Sequence, residues 1–90
     1  MKKINLTISG CMGRMGQQLI KATMKNKNFK LHSLTEKKLN KKKMHGINLQ
    51  INSESAFKNT DVIIDFSTPK CTIEILKSAL KLKKKVVIGT

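Results

Sequence analysis

The chain has no tryptophan and no tyrosine, and its only aromatic side chains are Phe29, Phe57 and Phe66. Proteins that bind single-stranded nucleic acid stack bases on aromatic platforms, so that class loses its usual contact surface here. Arginine is equally scarce, with Arg14 alone among 19 basic residues. Duplex readers favour Arg for bidentate contact with base edges, whereas lysine offers a point charge on a flexible stem. Acidic residues number 5, which leaves a formal charge of +14. Such a balance suits nucleic acid, a membrane surface or a phosphorylated ligand. Set beside the abundance of Asn and Ile, it reads as a solvated lysine surface with no nucleic-acid or membrane partner. Cys11 and Cys71 are too few for a disulfide framework and lack metal-site spacing, so no metal is expected. No apolar run approaches the length of a membrane span and no secretory signal is present, so the expected location is cytoplasmic.

A chain of 90 residues makes one domain with a modest core, since so short a chain buries only about 60–70% of its unfolded surface. It closes on Val86-Val87-Ile88-Gly89-Thr90, a strand and the start of its loop. The expectation is an incomplete domain over 1–90, without the residues of a full catalytic centre.

Alternation of Ile4, Leu6 and Ile8 with polar neighbours predicts a strand over Lys3–Ser9. Met15, Leu19, Ile20, Thr23 and Met24 recur at helical spacing and predict a helix to about Lys25, ended by the poor helix formers 26–28. A second strand is expected over Phe29–Thr35, then a lysine-rich mobile loop over Glu36–Gly46. Ile47–Ile51 reads as a short strand, and Ser53–Phe57 as one helical turn capped by Ser53. The continuous run Val62-Ile63-Ile64 within Asp61–Phe66 predicts a strand covered on both faces by helices. Thr68-Pro69 supplies a hydroxyl cap and a proline at the first helical position. The helix that follows is expected to bury Ile73, Leu76, Ala79 and Leu80. Lys81–Lys85 suit its dipole, and Val86–Ile88 is the last strand. Strands alternating with helices give an α/β fold with a parallel, Rossmann-like sheet, here its N-terminal half.

Between the first strand and first helix stands Gly10-x-x-Gly13-x-x-Gly16. A chain leaving a strand sharply needs a residue free to take unusual dihedrals. A backbone that must approach a pyrophosphate closely excludes side chains, and the helix N-terminus then offers unpaired N–H groups. A glycine triplet alone is a weak signal. It gains weight from the flanking strand and helix and from Glu36, about twenty residues on, where an acidic side chain holds ribose hydroxyls. Lys37 and Lys38 adjoin Glu36 and suit a 2′-phosphate. The acid favours NADH and the lysines favour NADPH, so both remain open. Arg14 could guard the pyrophosphate, stack near the adenine or form a structural ion pair. His32 and His45 read as a strand and a loop residue, and Cys71 as a small buried residue or a thiol at a helix N-terminus. A regulatory nucleotide-binding module and a charge-driven nucleic-acid binder stay as alternatives.

The segment Gly10-Cys11-Met12-Gly13-Arg14-Met15-Gly16-Gln17, followed by Leu19-Ile20, resembles the N-terminal signature of the dihydrodipicolinate reductase family. The resemblance continues at Thr35-Glu36-Lys37, at Asp65-Phe66-Ser67-Thr68-Pro69 and at Val86-Val87-Ile88-Gly89-Thr90, so it spans nearly the whole chain. It implies an NAD(P)H-dependent oxidoreductase of the diaminopimelate route to lysine. By that resemblance Gly10, Cys11, Met12, Gly13, Arg14, Met15 and Gly16 wrap the pyrophosphate. Glu36 holds the ribose, and Lys37 stands where the family often has a basic residue for the 2′-phosphate. Phe66, Ser67 and Thr68 border the nicotinamide ribose, while Gly89 and Thr90 meet the nicotinamide. Thr68 stands where some members carry Arg, and Cys11 replaces a small residue. The family's His-His-x-x-Lys and Ser-Gly-Thr segments are not matched, so no catalytic residue is expected here. Members are homotetramers built through the substrate domain, an assembly not expected of residues 1–90.

Overall fold

The structure, a computed structural model, describes residues 3–11, 13–36, 43–44 and 46–89, with 43, 44 and 48 as backbone only. The elements run β1 (Ile4–Ser9), α1 (Arg14–Lys25), β2 (Phe29–Glu36), β3 (Lys43–Met44), β4 (Ile47–Ile51), α2 (Glu54–Phe57), β5 (Val62–Asp65), α3 (Pro69–Leu82) and β6 (Lys85–Ile88). The sheet is ordered β3-β4-β2-β1-β5-β6. Its five longer strands are parallel, and β3 pairs antiparallel with β4. That two-residue strand falls inside the connection expected as a loop. The remainder of that connection, 37–42 and 45, lies outside the described residues.

Register explains the two cores. Leu6 pairs with Val62 and Ile8 with Ile64, so Ile4, Leu6, Ile8, Val62 and Ile64 share one face, since alternate residues of a strand point the same way. Leu31 and Leu34 are three apart in β2, a spacing that strict alternation sends to opposite faces. The register slips between Leu6 and Thr7, which pair with Leu31 and Ser33. His32 is therefore the extra residue of a bulge, and both leucines join Ile8, Ile20 and Leu49 under α1. On the opposite face Ile63 packs with Ala56, Phe57, Ile75 and Ala79 from α2 and α3.

Two expectations about faces are corrected. Helix α3 buries Cys71, Ile75 and Ala79, whereas Ile73, Leu76 and Leu80 are exposed, Leu80 to 82%. Helical spacing allows either stripe; the one chosen faces Ile63 and α2. In α1 the buried residues are Gly16, Ile20 and Thr23, and Met15 and Met24 face outward. The run Val62-Ile63-Ile64 is also less enclosed than predicted. Ile63 is wholly buried, but Val62 and Ile64 remain partly exposed. They line a groove of about 370 Å³ with Ile4, Leu6, Leu19 and Val87. Right-handed crossover places α3 on the other face, and α1 lies over β1 and β2.

On the α3 face Thr7, Ser33 and Thr60 pair internally, while the buried Thr35 hydroxyl has no partner among the described residues. Ser33 donates to the Ala56 carbonyl at 3.0 Å, and the Thr7 hydroxyl meets those of Ser33 and Thr60. Ser53 caps α2 as predicted, accepting the Ala56 N–H at 3.2 Å.

Candidate functional site

Strand order reverses beside β1: the chain leaves it for β2 and β4 on one side, then crosses to β5 and β6 on the other. Such a switch point opens a crevice at the carboxyl ends of the strands. A cavity of about 270 Å³ lies there. Gly10 and Gly13 of the β1–α1 turn and Glu36 of β2 form one wall. Phe66, Ser67 and Thr68 of the β5–α3 loop form the other, with Cys71 beneath.

The turn is built by its own backbone. Gly10 takes φ +78° and donates its N–H to the Thr35 carbonyl at 3.0 Å. A Cβ on Gly10 would stand 2.8 Å from the Phe66 carbonyl oxygen, and one on Gly16 would overlap Gly10 and stand 2.8 Å from the Cys11 Cα. These two glycines let turn, loop and helix close on one another. Gly13 differs: its nearest neighbour, the Gly10 carbonyl oxygen, is at an ordinary 3.4 Å, and Gly13 is exposed. As the residue before α1 it brings no capping side chain, and the first turn holds no acidic residue. The leading N–H groups of a helix have no intrahelical acceptor. In α1 these belong to the turn beside the cavity. By contrast α2 and α3 are capped by Ser53 and Thr68.

The electrostatics of the turn are mixed. The helix end favours an anion, while Glu36 brings a carboxylate to the same wall. That carboxylate is felt at Cys11. The thiol is wholly buried, and burial first, then the negative charge of Glu36, push its pKa up to about 11. It is a packed, protonated thiol beneath the turn, and its side chain does not line the cavity.

Of the residues singled out from sequence, Gly10, Gly13, Glu36, Phe66, Ser67 and Thr68 thus surround one cavity. Arg14 and Met15 are exposed in the first turn of α1, and Gly16 is buried behind it. Gly89 ends β6 with the Phe66 ring against its Cα. Met12, Lys37 and Thr90, like His45, lie outside the described residues. Cys71 is buried, as one of its two sequence readings had it, and it also lines the cavity, which neither reading anticipated. The sequence reading quoted Asp65 within the segment that carries the resemblance but gave it no role; its position as the one charge closing an apolar strand was the available signal.

Parallel strands in this order, with a glycine turn at the switch point, define a Rossmann-like nucleotide-binding domain. Residues 4–90 match the family model described as dihydrodipicolinate reductase, N-terminus, and the chain belongs to that family. It is 68% identical over 90 residues to 4-hydroxy-tetrahydrodipicolinate reductase of Pelagibacter ubique (strain HTCC1062), covering 100% of this chain and 35% of that protein. It is 41% identical to the enzyme of the same name from Buchnera aphidicola subsp. Cinara cedri (strain Cc), covering 98% and 37%. The solved structure of dipicolinate-bound dihydrodipicolinate reductase from Paenisporosarcina sp. TG-14 superposes with a TM-score of 0.85 at 27% identity, over 99% of this chain and 38% of that one. The chain therefore spans little more than a third of the length of these relatives. Aspartate semialdehyde dehydrogenase with NADP from Candida albicans shares the fold, with a TM-score of 0.81 at 18% identity.

Proposed function

We propose that this chain is the dinucleotide-binding part of a 4-hydroxy-tetrahydrodipicolinate reductase, taking NADPH or NADH in the cavity at the switch point. The observation that carries the reading is one wall that joins an uncapped helix N-terminus to the Glu36 carboxylate. The first suits a pyrophosphate and the second a ribose diol. Together they fit the adenosine half of a dinucleotide better than a lone phosphate.

In this reading Gly10, Cys11, Met12, Gly13, Arg14, Met15 and Gly16 wrap the pyrophosphate, with the leading N–H groups of α1 as the donors, since those of Gly10, Cys11 and Gly13 are already bonded to Thr35 and Gly10. Gly13 keeps the approach open because no side chain stands there. Glu36 accepts from the ribose hydroxyls, and Lys37 is the basic residue for the 2′-phosphate of NADPH. Phe66, Ser67 and Thr68, with Gly89 and Thr90, border the second nucleoside. When bound, the reduced nicotinamide supplies the hydride that gives tetrahydrodipicolinate, and the protein supplies orientation and electrostatics. The same reading assigns the proton donor, the substrate contacts and tetramer assembly to the part of the relatives' length that this chain does not span. No described helix is long and apolar enough to cross a membrane, and the relatives' biosynthetic names support a cytoplasmic role.

The test is calorimetric titration with NADH, NADPH and random duplex DNA at two salt concentrations. Saturable dinucleotide binding with a shallow salt dependence is expected, because charge-driven duplex binding collapses steeply with salt. Gly13→Val should abolish dinucleotide binding while the fold persists. Tight duplex binding with none of either dinucleotide would overturn the reading.

A further inference from the structure

Asp65 is wholly buried at the carboxyl end of β5. One carboxylate oxygen accepts the Ser67 N–H at 2.8 Å and the Ser67 hydroxyl. The other accepts the hydroxyl of Thr72, in the second turn of α3. Its backbone carbonyl accepts the Gly89 N–H at 2.9 Å. A buried carboxylate is costly unless its lone pairs are filled, and here donors from both the β5–α3 loop and α3 fill them. The cap of α3 is a separate device, since Thr68 accepts the Cys71 N–H. None of Asp65's side-chain bonds reaches the glycine turn or Glu36. The carboxylate therefore braces one wall of the cavity, Phe66–Thr68, and its carbonyl ties that wall to the end of β6.

We propose that Asp65 is a positioning residue for the second nucleoside of the dinucleotide, acting through Ser67 and Thr72 on the Phe66–Thr68 wall. The inference rests on the dinucleotide reading above. It predicts an asymmetric effect: the adenosine-diphosphate half touches the glycine turn and Glu36, and loses less when the other wall slackens. Ligands that reach past the pyrophosphate lose affinity.

The experiment compares ADP with NADH as ligands of the wild-type chain, Asp65→Asn and Thr72→Val, with circular dichroism and melting curves to establish folding. Both variants should weaken NADH by about tenfold, the loss of one charge-assisted hydrogen bond, and change ADP less than about twofold, well under such a bond. A folded variant that holds NADH like the wild type overturns the proposal. So does an equal loss for ADP and NADH, which marks a purely structural role. If Asp65→Asn does not fold, Thr72→Val, which removes a partly exposed hydroxyl, decides by the same criteria. Equal wild-type affinity for the two ligands overturns the inference alone, because the second nucleoside then touches nothing that Asp65 holds. A wild-type chain that binds neither overturns the dinucleotide reading, and the inference with it.

Discussion

A side chain on Gly16 would collide with the carbonyl of Gly10, six residues earlier, at the point where α1 closes on its own entry turn. The obstacle is backbone on both sides, with no flexible side-chain end to give way. Gly16→Ala is expected to destabilise the fold by about 2–4 kcal/mol, in the upper range for overpacking and backbone strain. Gly13→Ala meets only an ordinary contact at 3.4 Å with φ −73°, and should cost under about 1 kcal/mol, near the loss of a glycine at a helix cap. Urea denaturation of the two variants checks the contrast. Equal losses would mean that the turn has no division between internal closure and an open approach.

Gly89 and Phe66 hold a similar relation at the other wall. A Cβ on Gly89 would enter the Phe66 ring, which is the end of a side chain and able to move. Gly89→Ala should therefore cost about 1–2 kcal/mol, and most of that cost should vanish in a Phe66→Leu background. A double-mutant cycle with a coupling of at least about 0.5 kcal/mol is the expected result for residues in contact. Additive losses would show that the ring does not rest on Gly89.

The helices and every strand but β3 were legible because their signals are local: alternation in β1, the hydroxyl–proline start of α3 and the Ser53 cap. The glycine turn and Glu36 could be read as one site for the same reason, since their spacing along a strand–helix–strand unit fixes where they meet. Faces were not legible. The expected stripe Ile73/Leu76/Ala79/Leu80 and the observed Cys71/Ile75/Ala79 share Ala79, which is buried as expected, and only the partner elements choose between the rest. The bulge at His32 is equally a tertiary fact, needed to bring Leu31 and Leu34 to one side. Asp65 was quoted in a matched segment but given no role, because its bonds run to residues two, seven and twenty-four positions on, which no single periodicity encodes.

The choice of stripe in α3 is open to a direct check. Ile75 is wholly buried and Leu80 is 82% exposed. Ile75→Ala should destabilise by about 2–4 kcal/mol through transfer and cavity costs, while Leu80→Ala should stay within about 0.5 kcal/mol. Chemical denaturation with unchanged slope separates them. Comparable losses would place the stripe expected from spacing alone back in the core.

The thiol of Cys11 links the turn to pH. Its folded-state pKa, raised by burial and then by the Glu36 charge, is about 11 against an ordinary value of 9.0. A raised folded value means that the native state holds the proton more tightly than the unfolded chain. The resulting stability is complete below pH 9 and is lost as pH rises toward 11, at about 1.4 kcal/mol for each unit of difference. The measurement is a comparison: the alkaline loss should be smaller in Cys11→Ala than in the wild type. Glu36→Gln removes the second cause and should reduce the difference in part, because burial, the larger cause, remains. Identical alkaline melting profiles for wild type and Cys11→Ala would show that this thiol is not held protonated beneath the turn, and the closeness of Glu36 to the glycine loop would lose its electrostatic signature.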